Sequence, residues 1–358
     1  MNSMKHTKTS CKTRIIALLI CVGMLLPLSA CGAEKPVKQQ IFAMDTLMDL
    51  TAYGKNAEAG LTDAIAAING LNTTLDPELE SSKVYAINHA QGDSVVVNGQ
   101  IAKMLQTAQT VSQQTGGALD LTVYPLLRAW GFIDADYRVP DEATIEALLE
   151  QVDMQKVQLT AMGDDGSYLM SIPAGAELSF GAVAKGCASN YAINAMRAAG
   201  VTSGVISLGG NVQTLGTKPD GSDWNVAVQD PNDTGSYIGY VSVGETAVIT
   251  SGSYQRCFQQ DGQTYWHILD PETAAPARTG LASVTVVGPD GTVCDGLATA
   301  LFVLGEEAGI ELWRAHSELG VQVIWVREDG SVALTEGLEE NYQVNPQHRG
   351  LDVTVVEA

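Results

Sequence analysis

Near residue 157 the hydrophobic pattern of this chain changes period, and that change narrows the folds open to it. Before it, apolar residues recur at helical spacing. Leu61, Ile65, Ile68 and Leu71 form one run, and Ile101, Met104, Leu105, Ala108 and Val111 another, capped by Asn98 and stopped by Gly116-Gly117. A third helix is predicted over 142–152, and the segment from Gln40 to Tyr53 reads as a strand. After the change come short β-rich runs with turn punctuation: VISLGGN, WNVAVQDPND, AVITSG, YWHILDPE, SVTVVGPDG and VQVIWVREDGS. A helix from about Lys185 to Ala199 and a helical pair from Asp295 to Glu318 interrupt them. Strands and helices mix without strict βαβ alternation, which predicts an α+β class rather than a doubly wound sheet. No Pro- or Ser-rich linker divides the chain, so it reads as one compact unit of two lobes with a seam near 130–175.

Charge excludes one large class of partner. Twenty basic residues stand against 41 acidic ones, a net charge of −21, and Lys5, Lys8, Lys12 and Arg14 fall in an opening stretch that holds no acid. The body is therefore more acidic still, and no cationic stripe is left for a nucleic-acid backbone. An anionic ligand has to be screened by a metal ion or by backbone donors.

The first thirty residues read as an export signal rather than as fold. After the lysines comes an apolar run from Ile15 to Leu28, shorter than a membrane-spanning helix, and then Leu28-Ser29-Ala30-Cys31. This matches the lipobox of bacterial lipoproteins, in which the cysteine is diacylated. The expected division is a lipoprotein signal peptide over 1–30, a tether over 31–40 and the folded domain over 41–358, anchored by lipid in the bacterial cell envelope. Beyond Cys31 only Cys187, Cys257 and Cys294 remain, an odd number without short spacing, so neither a disulfide framework nor a zinc site is implied.

Three segments carry chemistry. Ser179-Phe180-Gly181-Ala182-Val183-Ala184-Lys185-Gly186 opens a helix; small residues allow close approach to the backbone, and Lys185 adds a positive charge where a phosphate would sit. Asp295 and Thr299 lie four apart on one helical face and offer hard oxygens of the kind that suit Mg²⁺; the competing reading is Asp295 as an N-cap with Thr299 bonded back to a carbonyl. His267 lies in an apolar strand before an Asp-Pro turn, and near its ordinary pKa it can take a proton from a hydroxyl; the competing reading is a structural histidine. Gly209-Gly210 ends a strand as a close-approach point or a plain turn.

Together these segments resemble the ApbE family of FAD:protein FMN transferases. The resemblance runs from about Phe42 to Gly305 in seven ordered blocks: MDTLMDL, GALDLTVYPLLRAWGF, GAVAKG, ISLGGNV, ITSGSYQR, HILDPETAAPA and SVTVVGPDGTVCDGLATALFVLG. It implies a compact two-lobed α+β fold with a mixed, largely antiparallel sheet and flanking helices. It implies that Met44, Ala118, Leu119, Asp120, Lys185, Gly209, Gly210 and Ile268 contact FAD. Asp295, Thr299 and the carbonyl of Ala182 are implied as Mg²⁺ ligands, with His267 as base beside Lys185. The implied reaction moves FMN from FAD onto a Ser or Thr hydroxyl of an exported or membrane-anchored electron-transfer protein and releases AMP. The alternatives are hydrolysis of FAD to FMN and AMP, or flavin binding without catalysis. The chain departs from the family pattern at Ser179-Phe180, where Asp-Leu is common, at Leu75, often aromatic, and at Asp45, where the first block has Gly.

Overall fold

The computed structural model describes residues 35–164 and 166–358. The signal peptide, Cys31 and the first residues of the tether lie outside the described residues. Among the described residues nine strands form the main sheet, and their order in space follows their order in the chain. They are Val37–Ala43, Thr46–Ala52, Gly204–Leu208, Asn211–Leu215, Ala247–Gly252, Leu281–Gly288, Gln322–Arg327, Val332–Thr335 and Val353–Val356. Every adjacent pair is antiparallel except the last. The class is α+β, as the mixed pattern predicts.

The two faces of this sheet are covered differently. Helices Ala57–Leu75, Ala184–Ala198 and Gly291–Leu304 pack on one face through Leu61, Ile68, Ala188, Met196, Leu297 and Leu301. A three-stranded sheet that includes Trp224–Gln229 and Tyr237–Val243 covers the other, with Val226, Val228 and Val241 against Val248, Val287 and Ile324. Strand Leu281–Gly288 is enclosed on both sides and buried at every position, which accounts for the unbroken apolar run SVTVVG. Strand Trp224–Gln229 has one wet face and alternates instead.

The segment read as one strand from Gln40 to Tyr53 is a hairpin. Ala43 pairs with Thr46, and the two residues between them, Met44 and Asp45, have φ of 48° and 57°. That is a two-residue turn with both central residues left-handed, a geometry usually signalled by Asn-Gly or Gly-Gly, so Met-Asp hides it. The first strand starts at Val37, inside the stretch read as tether. The helix Gly99–Gln114 is capped by Asn98, whose Oδ1 accepts from the Ile101 N–H at 3.1 Å, and Gly116 and Gly117 follow its end at positive φ. The predicted third helix spans Glu142–Leu149. The helical pair starts earlier than read, at Gly291, because Asp290 and not Asp295 is the cap: Asp290 Oδ1 accepts from the Thr292 and Val293 N–H groups. Among the described residues no helix is long and apolar enough to cross a membrane.

Candidate functional site

Asp295 therefore sits in the second turn of its own helix, where its carboxylate is free to serve a neighbour. That neighbour is helix Ala184–Ala198, which has no side-chain cap of its own. Asp295 Oδ2 accepts the N–H of Gly186 in the first turn at 2.8 Å, and Oδ1 accepts from Asn211 Nδ2 at 2.9 Å. A side chain at Gly186 would collide with the carbonyl of Gly291 and lie 2.7 Å from Asp295 Cβ, so the glycine is what lets the helices meet. The Asp295 carboxyl is buried, and burial pushes its pKa up; the charge of Lys185 and the Gly186 and Asn211 hydrogen bonds work against that push.

The other predicted residues fall around this point in several ways. Thr299, one turn further on, meets the Ser251 hydroxyl at 3.2 Å, not a backbone carbonyl, so the self-capping alternative fails for both Asp295 and Thr299. In the small-residue turn, Gly181 donates to Ser179 Oγ, Val183 and Ala184 donate to the Phe180 carbonyl, and Gly186 donates to Asp295. Few amides of 181–186 are thus left to cradle an anion. Ser179 shapes this turn with its hydroxyl, a bond that an aspartate at the same position can also make, and Phe180 is core. Leu75 is also core. Ala182 is partly buried at the entrance of the helix.

Gly209 and Gly210, at φ of 62° and 95°, form the two-residue turn between Leu208 and Asn211. A side chain on Gly209 would strike Thr46, so this turn lies against the Met44-Asp45 turn at the same end of the sheet. Met44 is held there by its N–H to Asn72 Oδ1 at 2.7 Å. A cleft of about 500 Å³ between the two sheets opens beside Gly210, Thr250, Tyr254 and Gln255.

Leu119 packs toward Gly296, 3.1 Å from where a side chain there would begin, and Ala118 is buried beside it. Asp120 is turned into its own loop: its carboxylate accepts from the Thr122 N–H at 2.7 Å, from the Thr122 hydroxyl at 2.5 Å and from the Met154 N–H at 2.9 Å.

His267 lies one residue past strand Gln263–Trp266, not within it. Its N–H donates to the Arg256 carbonyl at 3.1 Å, while Nδ1 is sealed from solvent and finds no hydrogen-bond partner among the described residues. Phe132 meets the ring edge-on at 6.4 Å between centroids. Burial first, then the charges of Arg256 and Lys185, push the His267 pKa down to about 3, well below the ordinary value expected from sequence. Ile268 next to it is buried and accepts the Ala277 N–H. Lys185 therefore acts electrostatically on both Asp295 and His267.

Asn211, Ser251 and Arg256 belong to the candidate site; they lie in the blocks ISLGGNV and ITSGSYQR, but the sequence assigns none of them a role. Asn211 offered one signal, a polar residue directly after a Gly-Gly turn. Among the described residues the three cysteines are free, and burial pushes the Cys187 thiol up to about 11 in spite of its helix N-terminus. Among the same residues no three His, Cys, Asp or Glu side chains gather around a common point.

The chain is similar to known proteins in sequence and in fold. The model of the ApbE family matches residues 44–325, most of the chain. The chain belongs to the ApbE family. A FAD:protein FMN transferase of Treponema pallidum is 30% identical over 356 residues, covering 94% of this chain and 97% of that one. Another, from Klebsiella pneumoniae, is 34% identical over 272 residues, covering 74% and 83%. The crystal structure of the ApbE protein of Thermotoga maritima superposes with a TM-score of 0.79 at 28% identity, covering 86% of this chain and 99% of that one.

Proposed function

We propose that this ApbE chain is a flavin transferase that moves FMN from FAD to a serine or threonine hydroxyl of a partner protein and releases AMP. The relatives named FAD:protein FMN transferase support the reaction class. The single observation that carries it to these residues is the Asp295 carboxylate, buried yet held open by two donors from outside its own helix.

A buried carboxylate that has no ion pair among the described residues, and only the through-space charge of one lysine to offset it, is unfavourable unless a further cation joins it. Its oxygens accept from the Gly186 N–H and from Asn211 Nδ2, and hard oxygens with few protein ligands are the donor set that Mg²⁺ prefers. Asp295, Thr299 and the Ala182 carbonyl would hold the ion, which when bound supplies screening of the pyrophosphate and of the charge that develops on the phosphoryl oxygens.

The chain's own residues do the rest. Lys185 places a positive charge beside Asp295 and His267 and so draws in an anionic dinucleotide. The turn 181–186 contributes little to anion binding through its backbone, since most of its amides already have protein acceptors. His267, held neutral, is the base of this reading; its Nδ1 is sealed from solvent, so the proton of the attacking hydroxyl reaches it only through the other ring nitrogen, Nε2. An anion beside Arg256 and Lys185 offsets the two smaller causes of its depressed pKa and leaves burial, the largest. Of the stretch 118–120, Leu119 and Ala118 supply apolar surface while Asp120 fixes the loop.

The acceptor is an exported or membrane-anchored electron-transfer protein, and a diacylated Cys31 would keep the enzyme on the same outer face of the cytoplasmic membrane. The test is mass spectrometry of a candidate acceptor after incubation with this protein, FAD and Mg²⁺. The mass of FMN added at one hydroxyl supports the reading. Release of AMP at the same rate without acceptor makes the chain a hydrolase instead, and tight FAD binding with neither product makes it a flavin carrier.

A further inference from the structure

The contact between Gly186 and Asp295 is one of two. One turn along helix Ala184–Ala198 stands Asn190, and one turn back along helix Gly291–Leu304 stands Gly291; the Gly291 N–H donates to Asn190 Oδ1 at 2.9 Å. The helices thus run antiparallel at their crossing, joined by two rungs, with Gly186 on Asp295 at one and Asn190 on Gly291 at the other.

Asn190 uses its whole hydrogen-bonding capacity on this joint. Oδ1 also accepts from Gln213 Nε2 at 3.1 Å, and Nδ2 donates to Asp290 Oδ1 at 2.9 Å and to Thr292 Oγ1 at 3.1 Å. Three of its four partners, Asp290, Gly291 and Thr292, are the cap and first turn of the helix that carries Asp295 and Thr299. The fourth, Gln213, lies on the strand that begins at Asn211, the other holder of the Asp295 carboxylate, and Gln213 is bonded in turn to Ser189.

We infer that Asn190 is a positioning residue: it fixes the rotation and height of helix Gly291–Leu304 so that the Asp295 carboxylate meets a divalent cation in register with Gly186 and Asn211. The inference rests on the metal reading proposed above. Its physical basis is that a group binding the cation's ligand, or the element that carries the ligand, sets cation affinity without touching the ion. Loss of a group bonded directly to a ligand weakens metal binding by about tenfold to a hundredfold, and Asn190, bonded to the helix that carries the ligand, belongs at the lower end of that range.

The experiment measures binding of Mn²⁺, as a paramagnetic stand-in for Mg²⁺, to the full chain without FAD by electron paramagnetic resonance, with thermal unfolding alongside. Asn190→Ala is expected to weaken Mn²⁺ binding by about tenfold or more, and saturating Mn²⁺ should restore the turnover lost at limiting metal. A residue needed only for folding would lower the melting temperature and leave the affinity of the folded fraction unchanged, and that result overturns the inference. Thr292→Val, which removes one of the four bonds and leaves the Asp290 cap, is the milder variant should Asn190→Ala not fold. A smaller loss of affinity than in Asn190→Ala is expected of it, and wild-type affinity in it likewise overturns the inference. Failure of the wild-type chain to bind Mn²⁺ would instead remove the metal reading on which the inference stands.

Discussion

The Gly186 N–H and the Asp295 carboxylate, 109 positions apart in sequence, are joined at 2.8 Å. The start of one helix is thereby capped by an acid that grows from another. A capping carboxylate is stabilised by the unpaired amides and the positive end of the helix dipole. Here those same groups also hold the side chain still.

Gly186→Ala should break that union. Its methyl group would run into the Gly291 carbonyl, which is backbone and has no rotamer to retreat to. The expected cost is about 3 kcal/mol of stability, read as a lower urea midpoint, with transferase activity lost even in the fraction that stays folded. Wild-type activity in the folded variant would show that the helices have room to part.

Asp295→Asn should remove activity and change how stability depends on pH. The folded-state pKa of Asp295 is raised, so its ionised form is penalised by folding at every pH above the ordinary carboxylate value near 4. Asparagine escapes that penalty but has one acceptor oxygen, so it leaves either the Gly186 N–H or Asn211 Nδ2 without its partner. The melting temperature of the metal-free variant relative to wild type should therefore rise between pH 4 and pH 7, and Mg²⁺ should raise the melting temperature of the wild type alone. A difference that stays constant across that range would contradict the burial argument.

His267 titrates in the opposite sense. Its folded pKa of about 3 lies below the ordinary 6.5, so the unfolded chain takes up a proton that the folded chain refuses. Stability is unaffected above pH 6.5 and falls as the pH drops below it, by at most about 1.4 kcal/mol per pH unit from this group. Urea unfolding of wild type and His267→Asn between pH 7 and pH 4 should give a steeper loss for wild type. Parallel curves would mean that the ring is protonated in the folded state.

Asp45→Gly should stabilise the hairpin at the sheet edge. Asp45 holds a left-handed backbone at φ 57°, which glycine adopts without the Cβ penalty. A gain of about 0.5–1 kcal/mol is expected in denaturant unfolding, and a loss would show that the side chain repays its strain.

How much of this was readable in sequence depends on the range of each relationship. Asp295 and Thr299 were legible as a pair because helical spacing alone puts them on one face. That Asp290 takes the capping role was not, since both acids stand near the helix start and only the fold releases Asp295. Asn211 meets Asp295 across 84 positions, and no periodic pattern reports a contact of that kind. The α+β class followed from the change of period, but the hairpin at Met44 was lost because neither turn residue is glycine or asparagine. The depressed pKa of His267 depends on Arg256 and on burial beneath Phe132, both set by packing rather than by the residues flanking the histidine.

The main sheet adds its strands in the order in which the ribosome makes them. Nearly every new strand therefore finds its partner waiting as the previous one, at a modest loop-closure cost. The exception is the pairing of Met48 with Leu208, which must wait for the intervening helices to be synthesised and then closes the longest loop in the sheet. Until that moment the opening hairpin has an unpaired edge, and the Met44 turn has no Gly209 turn to rest against. The end of the sheet beside Asn211 is thus completed late in assembly, and a nascent chain cannot carry a finished site before its second half has emerged.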